Sequence, residues 1–385
     1  MFDSLEAAIR SIYGIGKSIP LHAPIFIGNE KRYLEKAIDS TYVSSVGAFV
    51  AEFEKQLAAF TSAKHVIATV NGTSALHVAL LLAGATANTE VITQSLTFVA
   101  TCNAIRYTGA RPVFVDVCKE TLGLSPNSMM AFIEANCEMR DDGHCWNKTT
   151  NRKIVACIPM HTFGHSAELD QICKLCDSSN ITVIEDAAES LGSFYKGRHT
   201  GTVGALGAMS FNGNKTITTG GGGVIFCNDD ELSLRAKHLT TTAKVPHKWK
   251  FFHDEVGFNY RMPNINAALG LAQLETLPKF LECKRNIAQQ YFDWGDQWGV
   301  ECVKEPKFSV SNYWLNAILV NCRKQRNELL DYLNSRGIMA RPAWTPMHML
   351  PMNENEITTP MQTTEMIYDK LINLPSGVPM SMMKE

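Results

Sequence analysis

The sequence lacks the features that mark a nucleic-acid-binding or membrane protein. Its 36 Lys and Arg nearly balance its 38 Asp and Glu, so the formal net charge is only −2. Such a balance provides no excess of one sign to attract a polyanion or a charged lipid surface. No apolar run approaches the roughly 20 residues that span a bilayer, and no helix-turn-helix or basic region is visible. We therefore expect no nucleic-acid partner and no membrane partner.

Secretion signals are also missing. Residues 1–19 carry four charged side chains and no long apolar run, so we expect a cytoplasmic protein. The 11 cysteines are an odd number scattered along the chain, and in that compartment they should be reduced thiols. Cys173 and Cys176 form a C-x-x-C without a second pair to complete a zinc or redox site. Their apolar helical context favours buried structural thiols.

A metal site is not expected either. His161 and His165 are four residues apart, a spacing that places two ligands on one face of a helix. Gly164 and the strand-like run before His161 predict a loop instead, and no third ligand is evident. The sequence therefore predicts no metal.

What is present is the pattern of a large α/β protein. With 385 residues, 45 % hydrophobic and 19 % charged, the chain is long enough for two globular domains. Short β-rich runs alternate with helical stretches over the first two thirds, which predicts a mostly parallel sheet covered on both faces. From Asn264 the pattern changes to long helices interrupted at Pro278, then a strand, a helix and a Pro/Met-rich tail. We predict an N-terminal segment 1–19, a large α/β domain 20–250 and a small α+β domain 251–385.

Asp186 and Lys215 are the first candidates for chemistry. The apolar run 181–184 predicts a buried strand that ends at Asp186, at the sheet edge where open α/β folds bind ligands. Lys215 follows another short run and precedes four consecutive glycines, 220–223. Pyridoxal phosphate needs a lysine for its Schiff base and a carboxylate for its ring nitrogen. The spacing alone leaves open a solvated loop lysine and a helix-capping aspartate.

A phosphate site is predicted at the turn formed by residues 71–74. This turn lies between a predicted strand and a predicted helix, and a helix N-terminus offers unpaired N–H groups to an anion. Ser210, just before the lysine loop, can add a hydroxyl donor. Capping of the helix by Thr73 or Ser74 is the alternative, and both roles can coexist.

Six motifs in order resemble the DegT/DnrJ/EryC1/StrS family of sugar-nucleotide aminotransferases, from about Pro20 to the C-terminus. They are residues 71–76, 97–101, 159–161, 185–189, 210–215 and 257–262. The resemblance implies a pyridoxal-phosphate-dependent transferase of fold type I, similar to aspartate aminotransferase. It has a large, mostly parallel α/β sheet domain and a smaller α+β C-terminal domain. It also implies a homodimer with shared active sites.

The resemblance assigns roles to individual residues. Lys215 would carry the cofactor and move the proton, and Asp186 would pair with the ring nitrogen. Phe98 would stack on the ring, and Asn259 would reach the phosphate of the partner's cofactor. The phosphate of the chain's own cofactor would be bound by Gly72, Thr73, Ser74 and Ser210.

Three further residues are less settled. Glu189 stands where many relatives have Gln near the phenolic oxygen of the cofactor, so we expect it to be protonated or turned toward a cation. His161 is expected to line the substrate site. Arg341 is expected to bind a carboxylate or diphosphate, with a surface ion pair as the alternative.

The flanking segments 42–47, 237–244 and 341–344 look most like the LegC-type branch of the family. That branch transfers an amino group, here from L-glutamate, to C4 of a UDP-linked 4-keto-6-deoxy-N-acetylhexosamine for surface glycans of the bacillosamine or legionaminic type. A GDP- or dTDP-linked keto sugar is the alternative. A dehydratase, a retro-aldol enzyme and a cofactor-binding regulator are others, although Lys rather than His at position 215 favours transamination.

Overall fold

Strands and helices alternate up to residue 240, and one long helix then leads into a second set of short elements. The structure, a computed structural model, describes residues 1–16 and 18–383. The helices are α1 (Phe2–Tyr13), α2 (Glu30–Asp39), α3 (Ala48–Thr61), α4 (Gly72–Leu82), α5 (Val99–Tyr107), α6 (Pro126–Asn136), α7 (Leu169–Ser178), α8 (Asp230–Thr240), α9 (Asn264–Trp298), α10 (Arg323–Ser335) and α11 (Gln362–Lys370). The strands are β1 (His65–Thr69), β2 (Thr89–Gln94), β3 (Arg111–Val115), β4 (Cys137–Met139), β5 (Cys145–Asn147), β6 (Arg152–Ile158), β7 (Thr182–Asp186), β8 (Phe194–Tyr195), β9 (Arg198–His199), β10 (Leu206–Ser210), β11 (Gly223–Cys227), β12 (Glu301–Cys302), β13 (Ser309–Val310), β14 (Asn316–Leu319), β15 (Arg341–Pro342), β16 (Ile357–Thr358) and β17 (Leu371–Leu374).

A ten-stranded sheet forms the centre, in the order β1-β11-β10-β7-β6-β2-β3-β16, with the hairpin β4–β5 beside β6. Neighbours from β10 to β16 pair in parallel, and β11 is antiparallel to both of its neighbours. Since β11 is reversed between them, β1 runs in the same direction as β10. The carboxyl ends of β1, β10, β7 and β2 therefore meet at one edge, as the sequence predicts for a ligand site.

The second sheet is small and antiparallel, in the order β12-β14-β17-β15. Helix α1 packs against it, since Leu5 and Ile9 share a buried cluster with Ile318 and Leu329. The predicted segment 1–19 is thus joined to C-terminal elements, and the domain boundaries at 19/20 and 250/251 stay predictions. No helix in the described part of the chain is both long and apolar enough to cross a bilayer.

Helix α9 corrects one expectation. The sequence predicts an interruption at Pro278, but the helix runs without a break from Asn264 to Trp298 with Pro278 inside it. A proline in a helix interior removes one hydrogen bond and costs about 3 kcal/mol. Packing against α2 and α3 offsets this cost, because the inner face of α9 buries Leu274, Leu277 and Phe280 in a core shared with α3.

Candidate active site

A cavity of about 230 Å³ opens at the shared carboxyl edge of the large sheet. Its wall combines loops that are distant in sequence. It is lined by Asn71, Gly72, Thr73, Leu76, Phe98, Ala100, Met160, Asp186, Ala188, Glu189, Ser210, Asn212, Asn214, Lys215, Gly221, Gly222, Trp314 and Trp344. Seven of the predicted site residues are among them: Gly72, Thr73, Phe98, Asp186, Glu189, Ser210 and Lys215.

Asp186 ends β7 on the cavity floor and is only 2 % exposed. Its Oδ2 accepts a 2.6 Å hydrogen bond from the hydroxyl of Thr101, and its Oδ1 accepts one from the Ala188 amide at 3.1 Å. Burial raises the pKa of this carboxyl, and the hydrogen bonds offset that effect only in part. No cation of the described residues pairs with Asp186, so the floor presents a carboxylate suited to a protonated ring nitrogen.

Lys215 and Glu189 are neighbours on one wall of the cavity. The lysine Nζ lies 3.4 Å from Glu189 Oε1 and 4.2 Å from the centre of the Trp314 ring. Glu189 Oε2 accepts a 2.9 Å hydrogen bond from the Phe163 amide. Burial raises the pKa of Glu189 to about 7, so its carboxyl titrates near neutrality. An amine and a carboxyl that can each hold a proton therefore share this wall.

The N-terminus of α4 closes one end of the cavity. Asn71 caps the helix, since its Oδ1 accepts a 2.8 Å hydrogen bond from the Ser74 amide. The cap is therefore Asn71 and not Thr73 or Ser74, the alternative considered from the sequence. Ser74 lines a neighbouring cavity of about 280 Å³ beside His77 and Tyr107 and does not line the cavity of Lys215. The start of α4 packs closely against the end of β10, because a Cβ on Gly72 would lie 2.9 Å from Ser210 Cβ. Because Gly72 has no side chain, an anion can approach the backbone N–H groups at the start of α4.

Phe98 precedes α5 and leaves 48 % of its surface exposed on the cavity. Its ring centre lies 6.3 Å from that of Trp344. An aromatic face left uncovered beside a carboxylate and a lysine suits a planar ligand.

The structure does not bring His161 to the cavity wall. Its side chain is fully buried, its Nε2 lies 2.9 Å from Glu185, and its Nδ1 accepts from the Ala167 amide at 3.2 Å. Adjacent residues of a strand point to opposite faces, so Glu185 turns away from the site that Asp186 enters. This placement does not support the expected contact between His161 and the substrate. Both ring nitrogens of His165 are buried without a hydrogen-bond partner, and within residues 1–16 and 18–383 neither His161 nor His165 belongs to a cluster of three potential metal ligands.

Asn259 and Arg341 also lie outside this cavity. Asn259 is exposed and bridges Thr241 at the base of a hairpin. Arg341 lines a second cavity of about 440 Å³, which adjoins the first through Asn214, Trp314 and Trp344. No carboxylate of the described residues pairs with Arg341, which disfavours the surface ion pair considered from the sequence.

Three site residues escaped sequence reasoning. Thr101 supports Asp186, and Trp314 and Trp344 form walls of the cavity. The spacing from Phe98 to Thr101 places both near the first turn of α5 and is a usable signal in retrospect. Nothing local predicts Trp314, because it lies about 100 residues from Lys215 and meets it only through the fold.

Comparisons with known proteins identify the family of this chain. The profile of the DegT/DnrJ/EryC1/StrS aminotransferase family matches residues 25–384. A relative described as GDP-perosamine synthase, from Escherichia coli O157:H7, is 40 % identical over 87 % of both chains. One with the same description from Caulobacter vibrioides is 35 % identical over 93 % of each.

Among solved structures, a DegT/DnrJ/EryC1/StrS aminotransferase from Brucella abortus superposes with a TM-score of 0.81. It is 27 % identical and 90 % of each chain is covered. The predicted fold type is confirmed, and the chain belongs to the DegT/DnrJ/EryC1/StrS family of pyridoxal-phosphate-dependent sugar aminotransferases.

Proposed function

We propose that the cavity between Lys215 and Asp186 holds pyridoxal phosphate and serves both halves of an amino transfer. When bound, the cofactor carries the amino group and withdraws electrons from the carbon that exchanges a proton. Lys215 would hold it covalently, and Asp186 would accept a hydrogen bond from its ring nitrogen. The buried Asp186 carboxylate without a cationic partner is the observation that supports this fit best.

The remaining contacts orient the ring. The N–H groups at the start of α4, with Thr73 and Ser210, would bind the phosphate, and Phe98 would cover one ring face. Lys215 Nζ, once its amine is free, would carry a proton to and from the substrate carbon. Glu189 is 3.4 Å away and can share that proton, since its carboxyl titrates near neutrality.

The acceptor substrate is a nucleotide-linked 4-keto-6-deoxy sugar, and L-glutamate is the amino donor. We favour a GDP-linked sugar, because the relative that is 40 % identical over most of its length is described as GDP-perosamine synthase. The expectation of a UDP-linked N-acetylhexosamine is kept as the second candidate, since segments 42–47 and 341–344 look most like enzymes that use one. The product would feed a surface polysaccharide.

A coupled assay separates the candidates. The holoenzyme is incubated with L-glutamate and, separately, GDP-, UDP- and dTDP-linked 4-keto-6-deoxy sugars, and 2-oxoglutarate formation is followed. We expect the largest kcat/KM with the GDP sugar. A larger value with the UDP-linked N-acetylhexosamine would overturn the GDP assignment, and sugar dehydration without 2-oxoglutarate would overturn amino transfer itself.

We also propose a dimer with shared sites. The hairpin before Asn259 exposes large apolar side chains: Trp249 is 73 %, Phe251 82 % and Val256 83 % exposed. A surface this apolar on one hairpin favours burial against a partner. Asn259 adjoins that surface and does not line the cavity of its own chain, which favours the predicted contact with the site of the other subunit.

A further inference from the structure

A lysine lies inside the protein behind the second cavity. Lys284, on α9, is 1 % exposed. Its Nζ lies 3.0 Å from His22 Nε2, 3.1 Å from the Trp314 carbonyl and 2.7 Å from the Ser376 carbonyl. These three acceptors match the three N–H donors of an ammonium group. These acceptors stabilise the charged form of the amine, although burial lowers the pKa of Lys284 to about 7.

This charge has no counter-ion. No carboxylate in residues 1–16 or 18–383 forms an ion pair with Lys284, and a buried charge left unpaired is costly. The nearest carboxylate along the chain, Glu282, is exposed, and Glu305 is paired with Arg285. The fold thus keeps an uncompensated positive charge behind the wall of a cavity.

His22 connects this charge to the cavity. Because Nε2 accepts from the ammonium of Lys284, the ring proton is placed on Nδ1. Nδ1 is buried and has no hydrogen-bond partner in the structure, and an unpaired donor costs stability. His22 also lines the second cavity, together with Arg341. An oxygen acceptor entering there would complete the arrangement.

The lining of the second cavity favours an anion of limited charge. Among the residues that the structure describes, Arg341 is the only charged one that lines it and no carboxylate does, while Phe163, Trp314 and Trp344 supply apolar walls. One guanidinium and one imidazole N–H suit a carboxylate. A diphosphate has more oxygens and more charge than these two donors satisfy.

We propose that the second cavity binds a carboxylate of the amino-acid donor, with Arg341 and His22 Nδ1 as donors and Lys284 as a positioning residue. Lys284 sets the tautomer of His22 and adds positive potential behind it. The cavity adjoins that of Lys215 through Asn214, Trp314 and Trp344, so an amino acid held there would lie beside the cofactor site. This inference rests on the proposed function in that one site must accept an amino acid and a sugar nucleotide in turn.

The test uses glutarate, which has the two carboxylates of glutamate but no amine. Glutarate, GDP and UDP are titrated separately into the holoenzyme by calorimetry, for the wild type, Lys284→Met and Lys279→Met. Lys279 is an exposed lysine on the same helix and is the matched control. We expect Lys284→Met to weaken glutarate binding by about tenfold or more and to leave nucleotide binding within about twofold, since Lys284 acts only on the carboxylate position, through His22 and its positive potential.

Kinetics give a second readout. Lys284→Met should raise the KM for glutamate far more than it lowers kcat, and Lys279→Met should change neither. If Lys284→Met does not fold, His22→Phe removes the Nδ1 donor that Lys284 positions and should give the same selective loss of glutarate binding.

Two results would overturn the inference: unchanged glutarate binding, or an equal loss of glutarate and nucleotide binding, which indicates a structural role or a diphosphate site. Because glutarate binding is measured without a sugar substrate, a wrong nucleotide assignment leaves this result interpretable. Amino transfer from glutamate by a wild type that binds no glutarate would refute the subsite alone.

Discussion

Asp186 and Glu189 are buried carboxyls three residues apart, near Lys215. Their different surroundings favour different chemical roles. Asp186 accepts two hydrogen bonds and lacks a cation, whereas Glu189 lies 3.4 Å from Lys215 Nζ and accepts one backbone hydrogen bond. The first is suited to stay ionised against a cationic ring, and the second to exchange a proton. Each assignment leads to a measurable difference between the acid and its amide.

Asp186→Asn should slow amino transfer while preserving the fold. The amide keeps the shape of the side chain but removes the charge that favours a protonated ring nitrogen. We expect kcat to fall by at least about 100-fold, which corresponds to about 3 kcal/mol in the barrier. Steady-state kinetics with saturating cofactor measure this, and near-normal turnover would mean that other residues orient the cofactor.

Glu189→Gln should change how stability depends on pH. The folded protein raises the pKa of Glu189 from 4.5 to about 7, so between those values it retains a proton that the unfolded chain has released. The contribution of Glu189 to stability is therefore complete below pH 4.5 and is lost as pH rises through about 7. Gln cannot titrate. The free energy of unfolding of the variant, relative to that of the wild type, should therefore rise by roughly 2–3 kcal/mol between pH 5 and pH 8.

Urea unfolding of the cofactor-free proteins at both pH values tests this. Glu134→Gln, an exposed change on α6, is the control and should show no such trend. An equal stability difference at both pH values would show that Glu189 does not titrate in this range.

At the scale of elements, the site depends on how closely the start of α4 approaches the end of β10. Gly72 and Ser210 meet at the junction where β1 and β10 present their carboxyl ends. A Cβ at position 72 would lie 2.9 Å from Ser210 Cβ, closer than real side chains pack. The helix N-terminus would have to shift away from the phosphate position.

Gly72→Ala should therefore weaken cofactor binding more than it weakens the fold. We expect about a tenfold rise in the dissociation constant for pyridoxal phosphate, since part of the phosphate contact is lost. Gly213→Ala is the matched control, because a Cβ at Gly213 meets nothing within 4 Å. Fluorescence titration of the cofactor-free proteins measures the affinity of each variant for pyridoxal phosphate. Equal affinities for the two variants would contradict a phosphate site at Gly72.

At the scale of the whole molecule, the exposed hairpin and Asn259 raise the question of whether one chain makes a complete site. If Asn259 serves the partner's phosphate, a hybrid of Lys215→Ala and Asn259→Asp chains has one site with both lesions and one with neither. Tagged hybrids should then recover up to about half of wild-type activity per dimer, although each parent is inactive, because a carboxylate repels a phosphate.

A hybrid of Lys215→Ala with Asp186→Asn is the control. Both residues line the cavity of the same chain, so every site in that hybrid keeps one lesion and activity should stay low. A Lys215→Ala and Asn259→Asp hybrid no more active than its parents would place Asn259 in its own subunit, or away from the cofactor.

Local sequence determined the parts of this protein that depend on short-range chemistry. The apolar, β-branched run 181–184 predicted β7 within about two residues, because burial on both faces of a parallel sheet demands such residues. Strand ends then placed Asp186, Ser210 and the turn before α4 at one edge, since parallel strands present their carboxyl ends together. Those residues suggested the cofactor, and six motifs in order along the chain carried the family resemblance.

Tertiary structure alone decided which side chains share a cavity and which are turned away. His161 contacts Glu185 on the opposite face of the strand. Pro278 lies inside a continuous helix because α9 packs against α2 and α3. Trp314 and Lys284 reach the site from the C-terminal half, and His22 from the N-terminal end. Such contacts join residues up to 262 positions apart, where no periodicity in the chain carries information about distance, so only the packed fold brings them together.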